Sequence, residues 1–463
     1  MFRQLFYRLI CFALISLSAL SVYAKEPLQR KGTLGLMPVS QSGKVEIAQL
    51  LPNGTADTMG VKAGDTIEKL NGQTVNDFAA LIQQLSHLYA EDKVVLEMNR
   101  GDQSLTLKGR LQGRPKERSE LAKVIYDSVD YNDVRLRSIL HLPNKSAITD
   151  KNGTPAIYFI QGYTCSSIDY GAIPNVTTRQ MIDQFVAAGF AVFRVDKLGV
   201  GDSQSTQHCR DVDFNTELEG FVAGLAQLKS NKMINPDKVY LWGHSLGVLY
   251  APAIATNHKV AGIIGYGGVA KPWYDYMLDI FEKQSTKYWG VSQNEAGNNS
   301  KIMKPFLMDW LNSDKDWQAI AQSKSNQPAL KAQLLPINDG YILSRHFGFF
   351  RSINQIDFSK LWKQIEVPTL MIHGSLDIQA INEKWAYKIA DWVNHSNNNQ
   401  LAKAAVLEGT EHGFMRYNSR QELMRAMSEG TPSAVNPGKH FDPRVGNLTI
   451  NWLQQINADT NQN

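Results

Sequence analysis

The sequence is poor in cysteine and has no long stretch of one charge. Its 463 residues include three cysteines and carry a net charge of +4, without a run of five like charges. So few cysteines exclude a scaffold held together mainly by disulfides, and the mixed charges leave no electrostatic footprint for a nucleic-acid partner. No metal-ligand spacing and no phosphate-binding glycine loop occurs, so we expect no cofactor.

Apolar material, in contrast, is plentiful. The chain is 43% hydrophobic, 20% charged and 10% aromatic, which is typical of globular proteins. Its length exceeds that of one ordinary compact domain. We therefore expect two or three folded units rather than a disordered or fibrous protein.

The first 24 residues have the pattern of an export signal. Arg3 and Arg8 give a positive start, residues 9–20 form an apolar run, and residues 22–24 fit a cleavage site. The apolar run is short for a membrane span, which needs about 20 residues. We predict a signal peptide over residues 1–24, with an uncleaved anchor as the alternative. The expected location is periplasmic or secreted, without a stable membrane span after cleavage.

Two cysteines remain once Cys11 leaves with the signal. Cys165 and Cys209 form an even pair in a protein that we expect in an oxidising compartment. The prediction is one disulfide between them, and the alternative is two free buried thiols.

The pattern of the chain changes once after the signal. Residues 32–111 show short apolar strands, glycine turns and one helical stretch, and residues 112–120 read as a polar linker. From residue 121 to about 457, strands alternate with long helices, which is typical of a mostly parallel sheet covered on both faces. The sequence thus predicts a small β/α unit followed by a large doubly wound α/β unit.

Glycine turns recur at three points of the small unit. They lie in Leu34-Gly35-Leu36 and in the segments 60–65 and 71–75. With this spacing the unit resembles a PDZ domain of the bacterial type. The resemblance implies that backbone N–H groups of the first loop hold a peptide carboxylate, with the C-terminal peptide added as a strand. A purely structural unit that caps its neighbour is the alternative.

A strand, a sharp turn and a helix follow one another around Ser245. Residues 243–247 read Gly-His-Ser-Leu-Gly, between the apolar segment 238–242 and the helical segment 248–256. A serine at such a turn projects from the sheet edge at a helix N-terminus, where negative charge is favoured. Ser245 is therefore the candidate nucleophile.

A serine hydroxyl needs a base, and the base needs an orienting acid. Asp377 follows the apolar segment 367–374, and His412 lies in the loop after the short strand 404–407. Both positions lie past the ends of strands, where ligand crevices form in open α/β sheets. Asp377 and His412 are the candidates, with Glu408 as an alternative acid.

In this order the elements of residues 121–457 resemble the α/β-hydrolase superfamily. The resemblance implies a doubly wound sheet with a helical cap and a Ser-Asp-His triad made of the three candidates. We expect an oxyanion hole from the N–H groups of Leu246 and Tyr163. Gly162 lets the backbone approach the substrate closely.

The stretch from about 271 to 360 is too long for a simple crossover helix and is rich in aromatic residues. It predicts a helical lid over the site. Most of its aromatic residues are expected in ordinary packing. Trp273 and Tyr274 lie nearest to the preceding strand and are the candidates for substrate binding.

These features lead to one main hypothesis and two alternatives. The main hypothesis is an exported serine hydrolase that cleaves a carboxylic ester through an acyl-enzyme on Ser245. The first alternative is a serine peptidase resembling prolyl oligopeptidase. The second is an inactive hydrolase scaffold that acts as a PDZ binding module. The expected partners are a small ester or peptide substrate and a C-terminal peptide.

Overall fold

The structure is a computed structural model that describes most of the chain after the predicted signal. The signal prediction for residues 1–24 lies outside the described residues, which are 26–39, 44–145, 152–396, 400–429, 438 and 440–460.

The small unit is built on an antiparallel sheet of order β2-β3-β4-β6-β7, with β5 paired to β4 and a separate β1–β8 pair. Alternate residues of β3 and β6 are buried because side chains of a strand point to opposite faces. The Asp77 carboxylate caps the longer helix by accepting the Ala80 N–H. In chain order the elements are β1 (Gly32–Thr33), β2 (Leu36–Pro38), β3 (Val45–Leu50), α1 (Thr55–Thr58), β4 (Thr66–Leu70), β5 (Gln73–Thr74), α2 (Phe78–Leu85), β6 (Lys93–Arg100), β7 (Gln103–Arg110) and β8 (Gln112–Gly113).

The large unit has an eight-stranded sheet of order β19-β18-β14-β13-β11-β12-β10-β9. Its strands are parallel from β12 to β19, while β9 and β10 add an antiparallel edge. The first part of this unit comprises β9 (Ala122–Tyr131), β10 (Val134–Pro143), β11 (Thr154–Ile160), α3 (Thr177–Ala187), β12 (Ala191–Val195), α4 (Phe214–Ser230), β13 (Ile234–His244), α5 (Gly247–Ala255) and β14 (Gly262–Tyr266). The last part comprises β18 (Thr369–Gly374), α13 (Lys384–Ser396), β19 (Ala402–Leu407), α14 (Arg420–Ser428) and α15 (Arg444–Thr460).

Helices cover both faces of this sheet, as the sequence predicts. Leu225 of α4 and Leu249 of α5 belong to one buried cluster, whereas Phe185 of α3 and Trp452 of α15 belong to another. Over the described residues, no helix combines the length and hydropathy that a membrane crossing needs.

A helical insertion separates β14 from β18. Trp310, Phe349 and Phe350 of this insertion are fully buried and share one core with Leu249 of α5. The insertion therefore packs as part of the large unit. It comprises α6 (Trp273–Asp279), a π-helix (Ile280–Gln284), α7 (Ser285–Tyr288), α8 (Gln293–Leu311), α9 (Trp317–Gln322), α10 (Gln327–Ala332), β15 (Ile337–Asn338), β16 (Tyr341–Ile342), β17 (Arg345–His346), α11 (Phe347–Asn354) and α12 (Phe358–Lys363).

The stretch 112–120, expected to be a polar linker, is docked on the large unit. Glu117 is buried, and its carboxylate accepts hydrogen bonds from Arg194 (3.0 Å from each oxygen) and from Arg179 Nε (3.1 Å). Burial alone would raise the pKa of Glu117, but the Arg194 guanidinium holds this pKa well below its usual range. The composition of the stretch did not reveal this docking because the arginines lie far away in sequence.

Ion pairs also join the small unit to the large one. Arg30 Nη1 lies 2.7 Å from Asp202 Oδ2 and 2.6 Å from Asp169 Oδ2, and Arg30 is largely shielded from solvent. Two separate ionic contacts, one at each end of the small unit, therefore hold it against the large unit.

Replacing the buried carboxylate tests this docking. Glu117→Gln leaves Arg194 buried without its counter-ion, so we expect the free energy of unfolding to fall by about 3–5 kcal/mol in urea denaturation. Asp237→Asn is the matched control, because the Asp237–Lys259 ion pair is exposed and such pairs contribute about 0–1 kcal/mol. Equal stability of the two variants would contradict the docking.

Candidate active site

Ser245 occupies a strained turn between β13 and α5. Its φ is 55°, in the left-handed region that is unfavourable for a residue with a side chain. The Ser245 N–H donates to Tyr266 O (2.8 Å), and the Val248 N–H donates to Ser245 O (3.0 Å). A Cβ at Gly247 would lie 2.2 Å from Ile160 O, so close packing against β11 requires glycine there. The turn holds Ser245 at the N-terminus of α5.

His412 and Asp377 meet at the ends of neighbouring strands β18 and β19. The distance between His412 Nδ1 and Asp377 Oδ2 is 2.7 Å. The other carboxylate oxygen of Asp377 accepts the N–H groups of Gln379 (2.9 Å) and Ala380 (2.7 Å). The structure thus brings the acid and base candidates together and fixes both carboxylate oxygens.

Each member of this pair shifts the pKa of the other. Burial disfavours the imidazolium, but the Asp377 carboxylate outweighs it and raises the pKa of His412. Burial likewise disfavours the carboxylate, and the His412 ring outweighs it and lowers the pKa of Asp377. The arrangement favours an imidazole that becomes an imidazolium during a reaction.

Ser245 and His412 line the same cavity. Among the described residues the only hydrogen bond of the His412 ring is the one to Asp377, so Nε2 is available and is not bonded to Ser245 Oγ. Catalytic contacts of this kind often tighten only when substrate binds.

Three other titratable residues lie near His412 and Asp377 in sequence or space, and none of them takes the place of Asp377. His244 bonds the carbonyl of His412 (2.9 Å), and burial lowers the pKa of His244 to about 3, so this ring stays neutral. His373 is buried and bonds the carbonyl of Gly374 (2.8 Å). Glu408, the alternative acid, is exposed. Asp377 is therefore the carboxylate that contacts His412.

The two expected oxyanion donors flank the serine. Tyr163 and Leu246 both line the cavity with Ser245, and within the described residues neither backbone N–H is engaged in a hydrogen bond. Gly162 lies against the serine, because a Cβ there would be 3.1 Å from Ser245 Cβ. Free N–H groups beside a nucleophile suit the stabilisation of a developing oxyanion.

The cavity beside Ser245 has a volume of about 320 Å³ and a mostly apolar lining. Trp273 lines it as expected, whereas Tyr274 does not: its N–H is held by Asn354 Oδ1 (2.8 Å), one position further along α6. The insertion supplies further lining residues that the sequence did not single out, namely Tyr276, Met277, Ile280, Gln284, Leu334, Leu335, Leu343 and Phe350.

The insertion also contacts the acid loop through three consecutive carbonyls. Tyr288 donates to Asp377 O (3.1 Å), Gln284 to Ile378 O (2.6 Å) and Tyr276 to Gln379 O (2.9 Å). A segment that we expected to be a lid therefore also supports the loop that carries Asp377.

The predicted disulfide between Cys165 and Cys209 is present. It lies two residues beyond Tyr163 and ties this loop to the segment that precedes α4. Within the described residues no group of three histidine, cysteine or acidic side chains is arranged to hold a metal ion.

The glycine loop of the small unit only partly matches expectation. Gly35 adopts a φ of 69°, but its N–H donates to Thr33 Oγ1 (3.1 Å) instead of being free for a carboxylate. Met37 on β2 and Phe78 and Ile82 on α2 are 41–51% exposed. Both the strand and the helix thus present exposed apolar side chains.

A strained serine at a strand–helix turn and a His–Asp pair at the ends of β18 and β19, carried on this sheet order, define an α/β-hydrolase. Comparison with known families then gives the particular one. The profile of the family described as serine aminopeptidase, S33 matches residues 176–416, more than half of the chain, and the chain belongs to this family. A PDZ domain profile matches residues 32–111. The chain is thus an α/β-hydrolase with an N-terminal PDZ domain.

One relative matches about two thirds of this chain, and another matches a short part of it. Esterase EstD from Thermotoga maritima is 21% identical over 316 residues, which are 67% of this chain and 65% of EstD. Periplasmic serine endoprotease DegP from Salmonella typhimurium is 32% identical over 95 residues, 18% of this chain and 20% of DegP. The chain spans less than two thirds of the length of either protein. The solved structure of Est1E from Butyrivibrio proteoclasticus with ferulic acid is 17% identical to this chain. The match covers 65% of this chain and 96% of Est1E, at a TM-score of 0.40.

The acid limb of the pH–rate profile tests the His–Asp pair. The base must be neutral, so the rate falls as pH drops through the pKa of His412, which lies above its ordinary value. Asp377→Asn removes the carboxylate that raises this pKa. We expect the limb to move to lower pH and kcat to fall by about 10⁴-fold. Glu408→Gln is the control in the same kcat/KM measurements, and a shift in this control instead would show that the acid is misassigned.

Removing the disulfide tests its effect on the neighbouring loop. In a Cys165→Ser/Cys209→Ser variant the loop that carries Tyr163 loses its link to Cys209. We expect kcat to fall more than KM changes, because oxyanion stabilisation depends on preorganised donors. Steady-state kinetics check this, with alkylation of the unreduced wild type as the test of the bond itself. An unchanged kcat, or two alkylated thiols in the wild type, would be the contrary result.

Proposed function

We propose that the protein is an exported serine esterase that cleaves carboxylic esters with an apolar acyl group through an acyl-enzyme on Ser245. Ser245 Oγ attacks the ester carbonyl while its proton passes to His412 Nε2, and Asp377 stabilises the imidazolium. The carbonyl π electrons move to the oxygen, and the N–H groups of Leu246 and Tyr163 donate hydrogen bonds to the resulting oxyanion. Collapse of this intermediate expels the alcohol, which takes the proton from His412. Water then releases the acid by the same steps.

One observation carries the preference for an ester over a peptide. Apart from His412, the described lining of the cavity contains no acidic or basic side chain. A peptidase that binds the free amino terminus of its substrate needs a carboxylate near the nucleophile, and this apolar cavity has none. Glu217 is not available for this role, because it is buried in ion pairs with Lys197 and Arg345.

Two features support export and a peptide ligand at the PDZ domain. The disulfide fits an oxidising compartment such as the periplasm, in line with a signal peptide over residues 1–24. The exposed apolar side chains of Met37 on β2 and of Phe78 and Ile82 on α2 suit an extended C-terminal peptide added to the sheet edge. The close contact of acid and base argues against an inactive scaffold that serves only as a binding module.

Labelling with a fluorophosphonate tests the nucleophile. The wild type and Ser203→Ala, the control from the other glycine-rich turn with a serine, should be labelled, and Ser245→Ala should not. Ser245 lines one cavity with the base His412, whereas Ser203 is buried and its hydroxyl accepts the Arg137 N–H. Mass spectrometry of the labelled peptide gives the position. Labelling that persists in Ser245→Ala would exclude this residue as nucleophile.

A substrate panel separates the esterase from the peptidase. Esters with apolar acyl chains should be cleaved with a higher kcat/KM than aminoacyl amides that carry a free amino group. Faster cleavage of the amides would favour the peptidase instead.

A further inference from the structure

A buried ionic group lies directly behind the loop that flanks Ser245. Glu217 of α4 accepts Lys197 Nζ at Oε2 (3.1 Å) and Arg345 Nη2 at Oε1 (2.5 Å), and these three side chains are at most 1% exposed. Tyr250 also donates to Glu217 Oε2 (2.6 Å). Glu217, Lys197 and Arg345 are called the Glu217 cluster below.

Both cations of the Glu217 cluster reach the backbone of the oxyanion loop. Lys197 Nζ donates to Gly162 O (2.7 Å), and Arg345 Nη1 donates to Tyr163 O (2.7 Å). Two consecutive carbonyls are thus each held by a buried cation, and one carboxylate, Glu217, positions both cations. Hydrogen-bonded ionic groups of this kind in a low-dielectric interior restrain the backbone that they contact.

Because the peptide bond is planar, fixing the Gly162 carbonyl also fixes the direction of the Tyr163 N–H. The carbonyl of Gly162 and the N–H of Tyr163 belong to one peptide unit and point in opposite directions across it. With the oxygen fixed on Lys197, the N–H faces away from the Glu217 cluster. Tyr163 lines the cavity of Ser245, and its N–H has no hydrogen-bond partner among the described residues.

The charge of the Glu217 cluster also favours a hydrogen bond from the Tyr163 N–H to an oxyanion. Two cations and one carboxylate leave the Glu217 cluster with one net positive charge behind the loop. A cation on the carbonyl oxygen polarises the peptide and strengthens its N–H as a donor. Both effects favour negative charge on a substrate oxygen in front of Tyr163.

We propose that Lys197 and Arg345, held by Glu217, are positioning residues that aim the Tyr163 N–H at the oxyanion. This inference rests on the proposed function, because it presumes an oxyanion formed by attack of Ser245. Arg345 belongs to β17 of the insertion. The insertion therefore contacts the oxyanion loop as well as the acid loop.

The test compares an oxygen ester with its thionoester, since the thiocarbonyl sulfur is a weak acceptor that gains less from oxyanion donors. Lys197→Met removes the donor to Gly162 O and keeps the chain length. We expect kcat for the oxygen ester to fall by about 10- to 100-fold, with KM changed by less than about threefold. The thionoester should lose much less. Lys197→Arg, which retains a charged donor, should restore part of the rate.

Rates are expressed per active site titrated with fluorophosphonate, so that partial unfolding does not count as lost catalysis. Arg345→Lys is the second variant, because it keeps the charge but cannot span Glu217 and Tyr163 O together. Glu117→Gln is the stability control, since it disturbs a buried arginine-bound carboxylate away from the cavity, and its kcat should equal that of the wild type.

The outcomes separate the two proposals. Equal losses for ester and thionoester, or an unchanged kcat in both Lys197→Met and Arg345→Lys, would overturn the positioning role while Ser245→Ala stays inactive. Full activity of Ser245→Ala would overturn the proposed function itself.

Discussion

The hydrogen bond between His412 Nδ1 and Asp377 Oδ2 joins two loops that also meet through the Leu376 N–H and Thr410 O (3.0 Å). These loops end β18 and β19, which are adjacent and parallel, so the sheet brings them side by side. The bond is 2.7 Å long, and the Asp377 loop is held from several directions. Its own backbone fills one carboxylate oxygen, and the insertion donates to its carbonyls. The insertion is therefore part of what keeps the acid next to the base.

Much of the fold and the candidate site could be predicted because the signals are local. The alternation of strands and helices predicted the mostly parallel sheet, which the structure confirms. Ser245 was visible from five residues between an apolar strand and a helix, since the elbow needs glycine at fixed offsets. Asp377 and His412 followed from strand ends and chain order. Pairing Cys165 with Cys209 needed only parity and the expected compartment.

What escaped prediction depends on partners distant in sequence. The ion pair of Glu217 with Arg345 leaves no local signal, because the two residues are 128 positions apart. Glu117 looked like solvated linker for the same reason. Trp273 and Tyr274 are both near β14 in sequence, but adjacent residues of a helix point in different directions, and of these two Trp273 lines the cavity. The Gly35 N–H instead donates to the Thr33 hydroxyl two residues earlier, which the resemblance to PDZ domains does not reveal.

The docked stretch around Glu117 has a consequence for how separable the two domains are. Arg179 and Arg194 belong to the hydrolase domain, yet the carboxylate between them comes from the segment that follows the PDZ domain. A gene fragment that starts at β9 would encode two interior guanidinium groups and omit their anion. The hydrolase domain is thus not a freely exchangeable module, and its expression in isolation calls for a start upstream of Glu117.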